Sequence, residues 1–107
     1  MVGKKIKPII KVYKTELAKK IRLSKLILFG SFAKGTASRD SDIDLVVISP
    51  DFNRMLPEAR FNLLYHARRH PLTRHVSMDI FGFTPEEYEN ASVLTTLGEV
   101  KETGVEI

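Results

Sequence analysis

The sequence predicts an α/β (α+β) fold, a small mixed β-sheet with helices packed on one side, and three observations carry that expectation. Two short apolar runs, residues 26–29 and 43–48, are too brief for buried helices and are stopped by Gly30 and by Pro50. The stretches around them place apolar residues at helical spacing instead. The 107 residues, 43% of them apolar, suit a single domain over 1–107 with one sizeable core.

In chain order, Ile6, Ile9, Ile10, Tyr13, Leu17 and Ile21 recur at the helical period over residues 4–23, with Lys7, Lys11 and Lys14 on another face. Pro8 is tolerable only in a first turn, so the regular helix should begin near Lys7. Residues 26–29 read as a buried strand. Residues 31–41, rich in Gly, Ser, Thr and Ala, read as a loop or a short helical turn lying over the end of that strand. A second strand follows at residues 43–48, and Leu56, Ala59, Leu63, Leu64 and Ala67 then mark a helix over 56–69 that Pro71 closes. A third strand is expected over 76–83. Thr84-Pro85-Glu86-Glu87 is a capping-box start to a further helix, and a last helix should run from about 92 to 102, ended by Gly104, before a short edge strand at 105–107.

Composition excludes several classes of function. Without cysteine there is no disulfide framework, thiolate zinc site or cysteine nucleophile, which fits a reducing compartment. The longest apolar runs fall far short of the roughly 18 residues that cross a bilayer, and the basic start has no apolar run behind it to make a signal peptide. A cytoplasmic protein without membrane association is expected. Residues 1–25 carry nine Lys or Arg against Glu16 alone, whereas residues 82–107 carry six Glu against Lys101 alone. This opposition suits an anionic ligand or partner and permits self-association into a homo-oligomer, although lysine-rich helix faces most often simply face water.

Asp42, Asp44 and Asp79 sit where core strands rarely hold acids. Side chains at i and i+2 of a strand share a face, so Asp42 and Asp44 point together, and a neighbouring strand could bring Asp79 beside them. Carboxylates so close need compensation, for which Mg²⁺ with its preference for hard oxygen ligands is the natural agent. Gly30-Ser31 ends the first strand, where glycine allows close backbone approach and free N–H groups with the Ser31 hydroxyl can hold phosphate oxygens. Lys34 and Arg39 could neutralise the remaining phosphate charge. Gly-Ser alone is a common loop dipeptide, Asp-x-Asp alone is more often a turn device, and Asp79 alone could be a solvent-facing edge residue. The combination is what is rare, and it describes a site for a nucleoside triphosphate with Mg²⁺.

Gly30-Ser31, ten residues, then Asp42-Ile43-Asp44 resembles the signature of the nucleotidyltransferase superfamily of DNA polymerase beta type. The runs Leu28-Phe29-Gly30-Ser31-Phe32-Ala33-Lys34-Gly35-Thr36-Ala37 and Ser41-Asp42-Ile43-Asp44-Leu45-Val46-Val47 are similar to those of the minimal nucleotidyltransferase family in particular. Lys34 departs from the arginine frequent there. The resemblance implies a nucleotidyltransferase fold, Asp42, Asp44 and Asp79 as catalytic ligands of two Mg²⁺ ions, Gly30 and Ser31 on the triphosphate of ATP, and transfer of AMP to an acceptor hydroxyl. It further implies an antitoxin whose partner is an all-helical HEPN-type ribonuclease toxin modified on a tyrosine.

Three alternatives stand beside this reading: a non-catalytic antitoxin that occludes its toxin, nucleotidyl transfer to a small molecule, and, least favoured, nucleic-acid binding through the N-terminal lysines. His66 and His70 have a zinc-compatible spacing, with His75 following, but lack a defined third ligand and read as surface or helix-end residues. Phe61, Phe81, Phe83 and Tyr88 read most simply as core aromatics, and Tyr13 and Tyr65 as helix residues with apolar neighbours.

Overall fold

The computed structural model describes residues 6–38, 40–91 and 96–107. A four-stranded mixed sheet in the order β3-β2-β1-β4 organises the chain. Helix α1 (Lys7–Ala18) leads into β1 (Lys25–Phe29), the short helix α2 (Gly30–Lys34) and β2 (Ile43–Ile48). A 3₁₀ turn at Pro50–Arg54, helix α3 (Pro57–His66) and β3 (Met78–Phe83) follow, and α4 (Pro85–Glu89), α5 (Thr96–Thr103) and β4 (Val105–Glu106) complete it. Strand β1 is antiparallel to β2 and to β4, while the crossover through α3 makes β3 parallel to β2.

Alternation along the strands divides the core between two sheet faces. On one, Leu26, Leu28, Ile43, Leu45, Val47, Met78 and Ile80 pack with Ile10, Tyr13 and Leu17 of α1 and Leu64 of α3. Tyr13 is fully buried and its hydroxyl donates to Leu64 O at 2.7 Å. Burial pushes the Tyr13 hydroxyl far above the ordinary tyrosine range, so it stays a neutral donor. On the second face Ile27, Val46 and Ile48 pack with Val100 of α5. The helical layer expected on one side is therefore α1 and α3, and α5 adds partial cover to the other side.

Local chemistry explains where elements begin and end. Helix α1 stops at Ala18 rather than near 23 because Lys20 and Ile21 both donate to Leu17 O, a tight turn that still delivers Ile21 into the core. Gly35 ends α2 with φ +76°, a left-handed conformation that favours glycine. Strand β3 begins at Met78 and not at Val76, since Val76 N–H is held in a turn by Thr73 O and its carbonyl accepts from the Arg68 guanidinium. The capping box at Thr84 is formed: Glu87 N–H donates to Thr84 Oγ1 at 3.0 Å and Thr84 N–H to Glu87 Oε1 at 2.7 Å. Most of the last expected helix is α5, but residues 92–95 lie outside the described residues.

The outer edge of β3 is bridged by side chains from α3. Tyr65 Oη donates to Met78 O and accepts from Ile80 N–H, and Arg60 donates to Gly82 O. Among the described residues no helix is long and apolar enough to cross a membrane.

Candidate active site

The three acids reach one place because β2 and β3 are parallel neighbours in this register: Asp44 is paired directly with Asp79, and Phe29, the last residue of β1, is paired with Asp44 from the other side. Paired residues on adjacent strands are about 4.8 Å apart. Asp44 shares its face with Val46 and Ile48, so the acids lie on the face that α5 covers only in part. Asp42 stands just before β2, half-buried like Asp44, and Asp79 is exposed.

The Asp44 carboxyl is held above the usual range, chiefly by burial, then by the charges of Asp79 and Asp42, and by a hydrogen bond with Asp79. A carboxyl in this position gains from any nearby positive charge. The donor set, acidic oxygens repelling one another at a strand end, suits a hard divalent cation. Among the described residues no three His, Asp or Glu side chains already converge on a common point as a closed cage. Asp44 and Asp79 are the pair in direct contact, and Asp42 acts on Asp44 through its charge.

Gly30 joins this site through its backbone. It begins α2 with φ +72°, and a Cβ placed there would run into the Asp44 carboxylate. Phe29, at the N-cap, supplies no capping side chain, and among the described residues the first-turn N–H groups of α2 have no side-chain acceptor. Ser31 is half-buried and its hydroxyl makes no hydrogen bond among the described residues. The Lys34 ammonium lies 3.5 Å from Glu99 of α5, both exposed, so its first partner is a carboxylate of this chain. Arg39 lies outside the described residues.

The histidines do not gather. His70 Nδ1 accepts from Leu72 N–H and His75 Nε2 from Arg74, which places both in turn chemistry after α3. Two aromatics expected in the core are exposed: Phe61 at 55% because it projects outward from α3 onto the Tyr65 ring, and Phe81 at 49% because it shares the acids' face of β3. Sequence reasoning missed the role of that face. Phe29, Val46, Phe81, Phe83, Leu97 and Val100 line an apolar cleft of about 290 Å³ beside the acids. The even spacing of Asp79, Phe81 and Phe83 was the available signal.

The family model of the nucleotidyltransferase domain matches residues 10–101. The chain belongs to that family. This nucleotidyltransferase domain is also similar to the crystal structure of a Sulfolobus solfataricus protein classed provisionally as a nucleotidyltransferase, at 20% identity and a TM-score of 0.62 over 97% of this chain and 86% of that one. BolA1 from Arabidopsis thaliana has a related fold, at 20% identity and a TM-score of 0.55 over 80% of this chain and 98% of that one. No protein of curated function matches the domain by sequence.

Proposed function

We propose that the domain transfers AMP from ATP, with Mg²⁺, to a hydroxyl of a partner protein. The observation that carries this reading is the cross-strand pairing of Asp44 with Asp79 under the backbone of Gly30. Asp42, Asp44 and Asp79 are the residues that would hold two Mg²⁺ ions, which supply charge neutralisation to the phosphates and to the attacking oxygen. Gly30 and Ser31 would hold the triphosphate through the first-turn N–H groups of α2 and the Ser31 hydroxyl, with Arg39 and Lys34 neutralising charge once Lys34 leaves Glu99.

In the reaction the acceptor oxygen forms a bond to the α-phosphorus, the bond from that phosphorus to the bridging oxygen of the β-phosphate breaks, and pyrophosphate leaves. Asp79, the most exposed of the three acids, would orient the acceptor hydroxyl and take its proton. The resemblance to minimal nucleotidyltransferases supports an acceptor tyrosine on a HEPN-type toxin and an antitoxin role in the cytoplasm. Three acids gathered at one strand end favour catalysis over simple occlusion of the toxin, because an occluding module has no use for crowding them together.

Incubation with α-labelled ATP and Mg²⁺ in a lysate of the source organism tests this. A labelled protein band is expected with the wild type and not with Asp42→Asn/Asp44→Asn. Absence of any variant-sensitive label on protein would overturn protein modification.

A further inference from the structure

From the arrangement around the end of α3 we infer that the protein has a second binding surface, separate from the acids, for single-stranded nucleic acid. Tyr65, Arg68, Arg69 and Arg74 line an open cleft of about 510 Å³ where α3 gives way to the turns before β3. None of these three arginines is in an ion pair among the described residues, where every close cation–carboxylate pair involves other side chains. Three uncompensated guanidinium groups around one cleft create a positive potential that calls for an anion.

The neighbouring chemistry narrows the anion. Phe61 and Tyr65 are spaced four apart on α3, so their rings share one face of the helix, and Tyr65 carries that face into the cleft that Arg69 lines just beyond the helix end. Phe61 is exposed and its ring lies 4.4 Å from that of Tyr65, while the Arg68 guanidinium lies 5.5 Å over the other ring of the pair, Tyr65. An open aromatic face next to a row of arginines is the combination that holds a single strand, bases by stacking and phosphates by charge. An acidic peptide would use the charges and leave Phe61 without a purpose.

The cleft is built to keep its shape. Arg68 is half-buried, donates to Val76 O and has a buried Nε with no hydrogen-bond partner among the described residues, and Thr73, fully buried, donates to Arg68 O at 2.9 Å. Arg74 Nε is oriented by His75 at 3.2 Å. Arg69 and Arg74 are exposed, leaving them free to meet phosphates.

Fluorescence anisotropy with a short labelled oligouridylate, titrated across a series of salt concentrations, tests the inference. Arg69→Glu/Arg74→Glu is expected to weaken binding at least about tenfold and to make the slope of log K against log salt shallower by about 1.4, the value for two lost single-strand phosphate contacts. Phe61→Ala is expected to weaken oligouridylate about tenfold while leaving the affinity for inorganic tripolyphosphate unchanged. All three positions are exposed, and an unchanged melting temperature verifies folding. Absence of binding at low salt, or a greater loss from Lys7→Glu/Lys11→Glu than from the arginine pair, overturns the surface. Equal affinity for tripolyphosphate with no effect of Phe61→Ala overturns nucleic acid as the ligand and leaves a free oligophosphate.

Discussion

Gly30 rests directly on the carboxylate of Asp44: a Cβ on residue 30 would collide with Oδ2 and stand 3.1 Å from Cγ. Backbone conformation and space impose the same requirement, since φ is +72°. Gly30→Ala is expected to cost about 1–2 kcal/mol of stability from the left-handed strain alone. Nucleotide affinity should fall further, because Asp44 must move. Thermal melting beside calorimetric titration of ATP with Mg²⁺ separates the two effects.

Burial of Asp44, together with its crowding by Asp79 and Asp42, is a cost to the metal-free protein. A carboxyl held above its unfolded value binds its proton more tightly when folded, so stability falls as pH rises from the ordinary aspartate range through the raised value. Asp44→Asn should therefore melt a few degrees higher than the metal-free wild type at neutral pH, and the gap should close in acid. An unchanged or lower melting temperature at pH 7 would contradict the electrostatic account.

Mg²⁺ should reverse that order. A cation that binds the native acids and not the unfolded chain raises stability with concentration, by about 2.7 kcal/mol at a hundredfold excess over Kd, and the melting temperature rises with it. Chelator should abolish the gain, and Asp44→Asn should never show it.

Glu87 has the opposite sign from Asp44. Burial pushes its carboxyl up, but the Thr84 N–H and the Arg60 guanidinium at 2.7 Å hold it below the usual range overall. Its contribution is present above the ordinary glutamate range and lost as pH falls through the lowered value. Glu87→Gln should destabilise at pH 7 and converge with wild type in acid. Thr84→Ala, which removes the other half of the capping box, should cost about 1 kcal/mol.

Tyr13 completes the last turn of α3. Arg68 N–H turns to Tyr65 O instead of Leu64 O, and the Leu64 carbonyl accepts from Tyr13 across the core. Tyr13→Phe should cost about 1–3 kcal/mol, since it leaves that buried carbonyl without its side-chain partner. Denaturant unfolding at constant m-value is the measurement.

The strands and the meeting of the acids were legible because period-two alternation is a local property, and it placed Asp42 and Asp44 together and Asp79 on a strand face. Register is not local. Only the pairing of Asp44 with Asp79 shows that the two strands start level, and only packing reveals that Lys34 faces Glu99 or that Arg68 holds Val76 out of β3. Phe61 and Phe81 misled for a related reason: aromatic residues at regular spacing look internal until the neighbouring layer is known to stop short.

The bridges from Tyr65 and Arg60 occupy Met78 O, Ile80 N–H and Gly82 O, three of the backbone groups that the outer margin of β3 would otherwise offer. Another chain therefore finds the ladder along β3 already partly filled, and the opposite margin, β4, is two residues long. Growth into stacked, amyloid-like ribbons is discouraged by the same hydroxyl and guanidinium that stitch α3 to its strand. A companion of this protein gains more by gripping side chains, whose shapes and charges can be selective, than by pairing with the main chain of this sheet.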